Sequence, residues 1–154
     1  MENPDVVCDL GVARWPWDDS TVDEALASHV LEHLPGDTFF HFLRELYRVC
    51  KPGAVVHVVL PHPSHDIFLN DATHVRPVMP GTLAMFSKRY VEGAAARGMI
   101  LTPFYKYHGV DFDMPRVAYT FDPAVDKNDP ELEWKAKHLR NIIFEWSTKL
   151  TVMK

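Results

Sequence analysis

Cysteine is scarce in this sequence. Cys8 and Cys50 are the two in 154 residues, and neither has a C-x-x-C partner. A disulfide framework and a four-cysteine metal site are thereby excluded, and a reduced, cytoplasmic setting is expected. Glycine is sparse too. The seven glycines stand at 11, 36, 53, 81, 93, 98 and 109, and no two are two residues apart. No G-x-G loop can therefore bring backbone N–H groups against a phosphate. The G-K-[ST] and G-x-S-x-G patterns are missing as well, so nucleotide hydrolysis and serine hydrolysis lack their machinery. No apolar run approaches the roughly 18 residues of a membrane span, and the start MENPDVVCDL has no signal-peptide layout. Basic residues are outnumbered 16 to 21, a net charge of −5 with histidines neutral. That balance argues against a nucleic-acid or anionic-membrane surface.

What is present fits one globular domain over residues 1–154. Apolar residues make up 47% and charged ones 24%, with no repeat or Gly/Ser linker. Residues 1–37 hold nine acids against Arg14, and residues 135–154 hold five bases against Glu145. Such asymmetry suits differing solvated faces, or chain ends that lie side by side. Val6-Val7-Cys8 reads as a buried strand end and residues 14–20 as a loop around Pro16. Residues 22–33 are ambiguous, with 22–28 able to form a strand and Val30–His33 a helical turn cut short by Pro35-Gly36. Asp37 or Thr38 is placed to cap a helix whose stripe is Phe39, Leu43, Leu46 and Cys50. Lys51-Pro52-Gly53 then turns the chain into an apolar strand over 54–60, as a parallel sheet requires. Residues 61–80 form a long polar loop, 82–97 a helix ended by Gly98, and 99–108 and 116–121 strands. Residues 131–141 are expected to be helical and 142–153 a final strand.

Two patterns could carry chemistry. His29-Val30-Leu31-Glu32-His33 fits H-x-x-E-H, in which two histidines on one helix bind zinc and the glutamate activates water. Pro35-Gly36 follows at once and leaves little helix to carry it. The loop gathers His62, His65, Asp66, Asn70, Asp71, Thr73, His74 and Arg76 at the end of a parallel strand, where open α/β sheets bind ligands. Loop-stabilising hydrogen bonds, a proton-accepting role and a structural ion on His62, His65 and His74 all remain open there. No metal is assigned. Trp15 and Trp17 suit a packed edge, and the cysteines suit small apolar fillers.

Four ordered blocks then align. They are residues 5–10 (DVVCDL), 15–23 (WPWDDSTVD), 29–34 (HVLEHL) and 45–53 (ELYRVCKPG). Together they resemble the second half of class I S-adenosylmethionine-dependent methyltransferases of the small-molecule type, with Ala54 where the family has glycine. The resemblance implies an α/β fold: a Rossmann-like methyltransferase sheet ordered 3-2-1-4-5-7-6, with helices on both faces. Residues 5–9 would be the third strand, 22–28 the fourth and 54–60 the fifth. The first two strands and the glycine-rich donor loop are expected to be missing, so the domain is N-terminally truncated. By resemblance, S-adenosylmethionine is the cofactor. Asp9 would meet the adenine amino group with Leu10 beside it, and Ser28 and His29 would border the cofactor cleft. His65, Asp66 and His74 are the candidate catalytic bases toward a small-molecule or sugar acceptor.

The bare fourth-strand edge predicts either that strand 5–9 moves across to pair with 22–28, or that a homodimer forms along it. The expected function is methyl transfer if another segment completes the donor site. The rival is a catalytically inactive remnant that acts as a binding or assembly module.

Overall fold

The computed structural model describes residues 5–11 and 14–154. Its centre is the pair β1 (Val22–Ser28) and β2 (Cys50–Pro61), which run parallel. β5 (Ile143–Val152) lies antiparallel on the other side of β2. β3 (Phe112–Asp113) and β4 (Val117–Phe121) pair with opposite ends of β5. They are two pieces of one edge strand, broken where Pro115 cannot donate to the ladder. The sheet order β1-β2-β5-β3/β4 is the 4-5-7-6 portion of the expected arrangement.

Alternation along β2 explains why it sits centrally. Ala54, Val56, Val58 and Leu60 are buried on one face. Val56 and Leu60 lie opposite Leu150 and Trp146 of β5, which are buried as well. Helix α1 (Gly36–Val49) covers this face with Phe39, Phe42, Leu43, Leu46 and Val49, spaced at three and four residues. Leu83 and Phe86, from helix α3 (Pro80–Ala84) and the turn after it, complete the core. His57, which interrupts the apolar run, points to the other face and pairs with Glu24 of β1 at 2.6 Å.

Several expectations need correction. Residues 5–9 do not form a strand. With no neighbour to ladder against, their backbone stays solvated, and Val7 is 84% exposed. Nor do they cross to β1, whose outer edge is unpaired among the described residues. Helix α1 begins at Gly36 after the extended Pro35, and no side chain caps it, although Asp37 in its first turn suits the dipole. The Lys51-Pro52-Gly53 turn lies inside β2 as a bulge. Val22 faces Cys50 and Glu24 faces Val55, and Gly53 absorbs the excess chain at φ +79°.

The helix expected over 82–97 is two, α3 and α4 (Lys88–Ala96). Ser87 accepts from the Tyr90 N–H and so begins the second helix anew. Residues 99–108 are not a strand either. After Pro103 they turn into α5 (Phe104–His108), which places Phe104 and His108 one helical turn apart against Phe40, and Gly109 ends it at φ +65°. The polar loop contains a single short helix, α2 (Asp66–Leu69), and α6 (Leu132–His138) is shorter than expected. Cys50 is fully buried, whereas Cys8 is half-buried.

Candidate functional site

The carboxyl ends of β1 and β2 open onto the same side of the molecule. Ser28 ends β1, and His29 follows at φ +52° with its N–H donating to Val59 O at 3.0 Å. A non-glycine residue in the left-handed region at a strand end is the kind of strain that clusters at functional sites. The His29 ring bridges two carboxylates, with Nε2 3.1 Å from Glu145 Oε2 and Nδ1 3.3 Å from Glu32 Oε1.

Asp9 and Leu10 lie in the segment that precedes β1. Asp9 Oδ1 accepts from the Gly11 N–H, an Asx turn, and Leu10 O accepts from Trp15 Nε1. Leu10, Trp15, Trp17, Leu26 and Val30 line an apolar groove of about 230 Å³ beside β1.

A guanidinium holds that approach in place. Arg48 on α1 donates to Glu45, to Asp19 Oδ1 at 2.6 Å, and to the carbonyls of Trp15 at 3.1 Å and Trp17 at 2.9 Å. Glu45 in turn accepts from the Trp15 N–H at 2.8 Å. The Arg48 hydrogen bonds hold the Glu45 carboxyl below its ordinary range, against the opposing pull of burial. Residues 45–48 and 15–19, two of the aligned sequence blocks, are thus one hydrogen-bonded unit.

The candidate bases are distributed over two places. His65 Nδ1 accepts from the Ile67 N–H and caps α2, so Nε2 carries the proton and donates to Asp122 Oδ2 at 3.0 Å. The Asp122 carboxyl is lowered first by the Ala124 N–H and then by His65. Asp66 bonds Arg140 at 2.6 Å and Asn141 at 2.8 Å, which stitches α2 to the turn before β5. His65 and Asp66 share an open hollow with Asn70 and Asp71. His74 lies apart from them, stacked on Phe68 and 4.7 Å from the His33 ring. The trio His62, His65 and His74 is not brought together as a metal cluster among the described residues.

Two features escaped the sequence. A cavity of about 850 Å³ lies between the end of β2, β4 and α6, with His62, Tyr119, Phe121, Leu132 and Ile143 in its wall. Tyr119 carries no motif, and its place follows only from pairing with Trp146 of β5. His62 Nδ1 is engaged by Ser64, and burial pushes the ring below the usual histidine range. The second feature is the burial of Glu32. Residues Leu31–His33 form a single 3-10 turn, so His29 and His33 do not share a helical face as a zinc-peptidase pattern demands. Glu32 is 1% exposed, and neither carboxylate oxygen has a hydrogen-bond partner.

Comparison with known proteins matches this geometry. Residues 3–58 match the methyltransferase-domain family model. No match is found among the curated proteins. A SAM-dependent methyltransferase from Archaeoglobus fulgidus superposes with a TM-score of 0.59 at 19% identity, over 88% of this chain and 61% of that one. One from Methanosarcina mazei gives 0.54 at 12%, over 96% and 66%. A Burkholderia thailandensis 1,6-didemethyltoxoflavin-N1-methyltransferase, solved with 1,6-didemethyltoxoflavin and S-adenosylhomocysteine, gives 0.50 at 11%, over 97% and 50%. The chain spans about half to two thirds of the length of these proteins. Among the described residues no helix is long and apolar enough to cross a membrane. Residues 3–58 are thus similar in sequence to the methyltransferase-domain family, and the fold of the chain is similar to that of solved SAM-dependent methyltransferases.

Proposed function

We propose that this chain is a single partial methyltransferase domain supplying the adenosine side and the acceptor side of an S-adenosylmethionine site. Methyl transfer to a small-molecule or sugar acceptor then requires a glycine-rich segment to hold the methionine end. The observation that carries this reading is the parallel β1–β2 pair, whose carboxyl ends carry Ser28 and the strained His29, while Leu10 lines the groove beside β1 with Ala27 and Val30. Asp9 would accept from the adenine amino group, Leu10 would pack on its ring, and Ser28 and His29 would line the cleft. Methyl transfer depends chiefly on holding donor and acceptor about 3–3.5 Å apart in line. Fixing one end of the donor is a contribution the present residues can make.

The cavity walled by His62 and Tyr119 is large enough for a small acceptor, with a mostly apolar surface and polar lining groups such as Ser64, Asp129, Glu133 and Lys137 to orient it. His65, Asp66 and His74 remain the candidate bases, His65 and Asp66 through the open hollow they line and His74 from beneath the loop. A reduced cytoplasmic setting is supported by the two free thiols.

Titration calorimetry with S-adenosylhomocysteine tests the reading. Saturable one-site binding that Asp9→Ala weakens at least tenfold is expected. Absence of heat above dilution would favour the rival, a module that keeps the sheet and has lost the cofactor.

A further inference from the structure

We propose that Glu32, His33 and His74 form a binding site for one divalent transition-metal ion of the zinc class. Their ligand atoms lie within 4.8 Å of one another, brought together by the turn after β1 and the return of the polar loop. Val75 N and Arg76 N both donate to Glu32 O, at 2.9 and 3.1 Å, so the loop is sewn to the turn at this point.

The hydrogen bonds around the cluster settle which atoms can bind. His74 Nδ1 is 2.8 Å from Phe68 O, and His33 Nδ1 is 3.2 Å from Thr73 O. A carbonyl can only accept, so both Nδ1 atoms carry protons and both Nε2 atoms present lone pairs. Thr73 Oγ1 donates to Asp71 Oδ1 at 2.6 Å and stands 3.0 Å from His33 Nδ1, where it accepts. This is the outer-shell arrangement by which metal-ligating histidines are oriented. Glu32 supplies the independent observation. Its carboxylate is buried with neither oxygen hydrogen-bonded and with His29 Nδ1, 3.3 Å from Oε1, in ion-pair contact, a costly condition that a bound cation relieves.

Two imidazoles and one carboxylate suit zinc, iron or manganese rather than magnesium or calcium, which favour oxygen donors. Zinc held at about 2.0–2.2 Å draws such donors to roughly 3.5 Å apart, closer than they stand in this structure. His33 is half-exposed and leaves an open coordination position toward solvent. Asp71 Oδ2, 3.7 Å from His74 Nε2, can close it, as can water.

The test uses the full chain, stripped with chelator and dialysed against zinc, manganese or magnesium chloride, with metal content read by mass spectrometry. About one zinc per chain and no magnesium are expected. Glu32→Gln and His74→Phe should each weaken zinc at least tenfold, and Thr73→Val by roughly ten- to a hundredfold. His57→Gln, on the opposite sheet face, should leave it unchanged. Cobalt added to the wild-type chain should give a visible ligand-field band, which needs no variant to fold. Substoichiometric zinc with no cobalt band, or equal zinc affinity in every variant, would overturn the proposal and leave Glu32 answered by His29 alone. These readouts are independent of whether S-adenosylhomocysteine binds.

Discussion

Among single residues, Arg48 does the most to shape the cleft. Its five donors meet two carboxylates and two carbonyls, a fork that lysine cannot reproduce. Arg48→Ala should cost about 2–4 kcal/mol, because it strands the Glu45 carboxylate and the Trp15 and Trp17 carbonyls. Arg48→Lys should recover less than half of that in urea unfolding. Histidines set the pH response. Burial lowers His62, and burial together with the Arg44 charge lowers His108, both from 6.5. A depressed folded value means that the unfolded chain takes up the proton first. Their stability contribution is therefore present above about pH 6.5 and lost as pH falls through the lower folded values. The thermal midpoint should drop between pH 7 and 5, and the His62→Gln, His108→Gln double variant should flatten that slope.

At the scale of elements, legibility followed periodicity. Helix α1, β4 and β5 were readable because their apolar spacing is strong and their ends carry turn residues, whereas β1 was ambiguous in its own residues and was placed by the resemblance. The segments that misled were those where tertiary context overrode local pattern. Residues 5–9 have strand composition but no strand beside them. Residues 104–108 look apolar and extended, yet fold as a helix because Phe104 and His108 can then both meet Phe40. Lys51-Pro52-Gly53 has turn chemistry, and the chain uses it to bulge β2 without leaving the sheet. Gly53→Ala tests the last point. Nothing stands within 4 Å of a Cβ there, so only backbone strain at φ +79° opposes it. A loss of about 1–2 kcal/mol in chemical unfolding, with an unchanged fold by circular dichroism, is expected.

The candidate site drew on two kinds of signal. The candidates Asp9, Leu10 and His29 came from aligned blocks, Ser28 from its place at the end of the implied fourth strand, and the loop histidines from composition. Pairing of Glu32 with His33 and His74 was hidden, because His74 lies some forty residues on and only the loop's return joins them.

Across the whole molecule, the last residue reaches the loop before β1 and the end of α1. Lys154 Nζ donates to Ser20 Oγ and to the carbonyls of Arg48 and Cys50, which end helix α1. The outer edge of β1 has no partner among the described residues, and Leu26 on it is 69% exposed. An open apolar edge of this kind is a template for a second chain. Sedimentation should therefore show a dimer that dissociates on dilution, and Leu26→Lys should shift it to monomer at every concentration.

The adenosine side of the cofactor site is tested most directly by irradiating the full chain with methyl-tritiated S-adenosylmethionine and sequencing the labelled peptides. Label on residues 9–10 or 28–29, competed away by S-adenosylhomocysteine, is the predicted result. Label confined to other segments, or none above a denatured control, would contradict it.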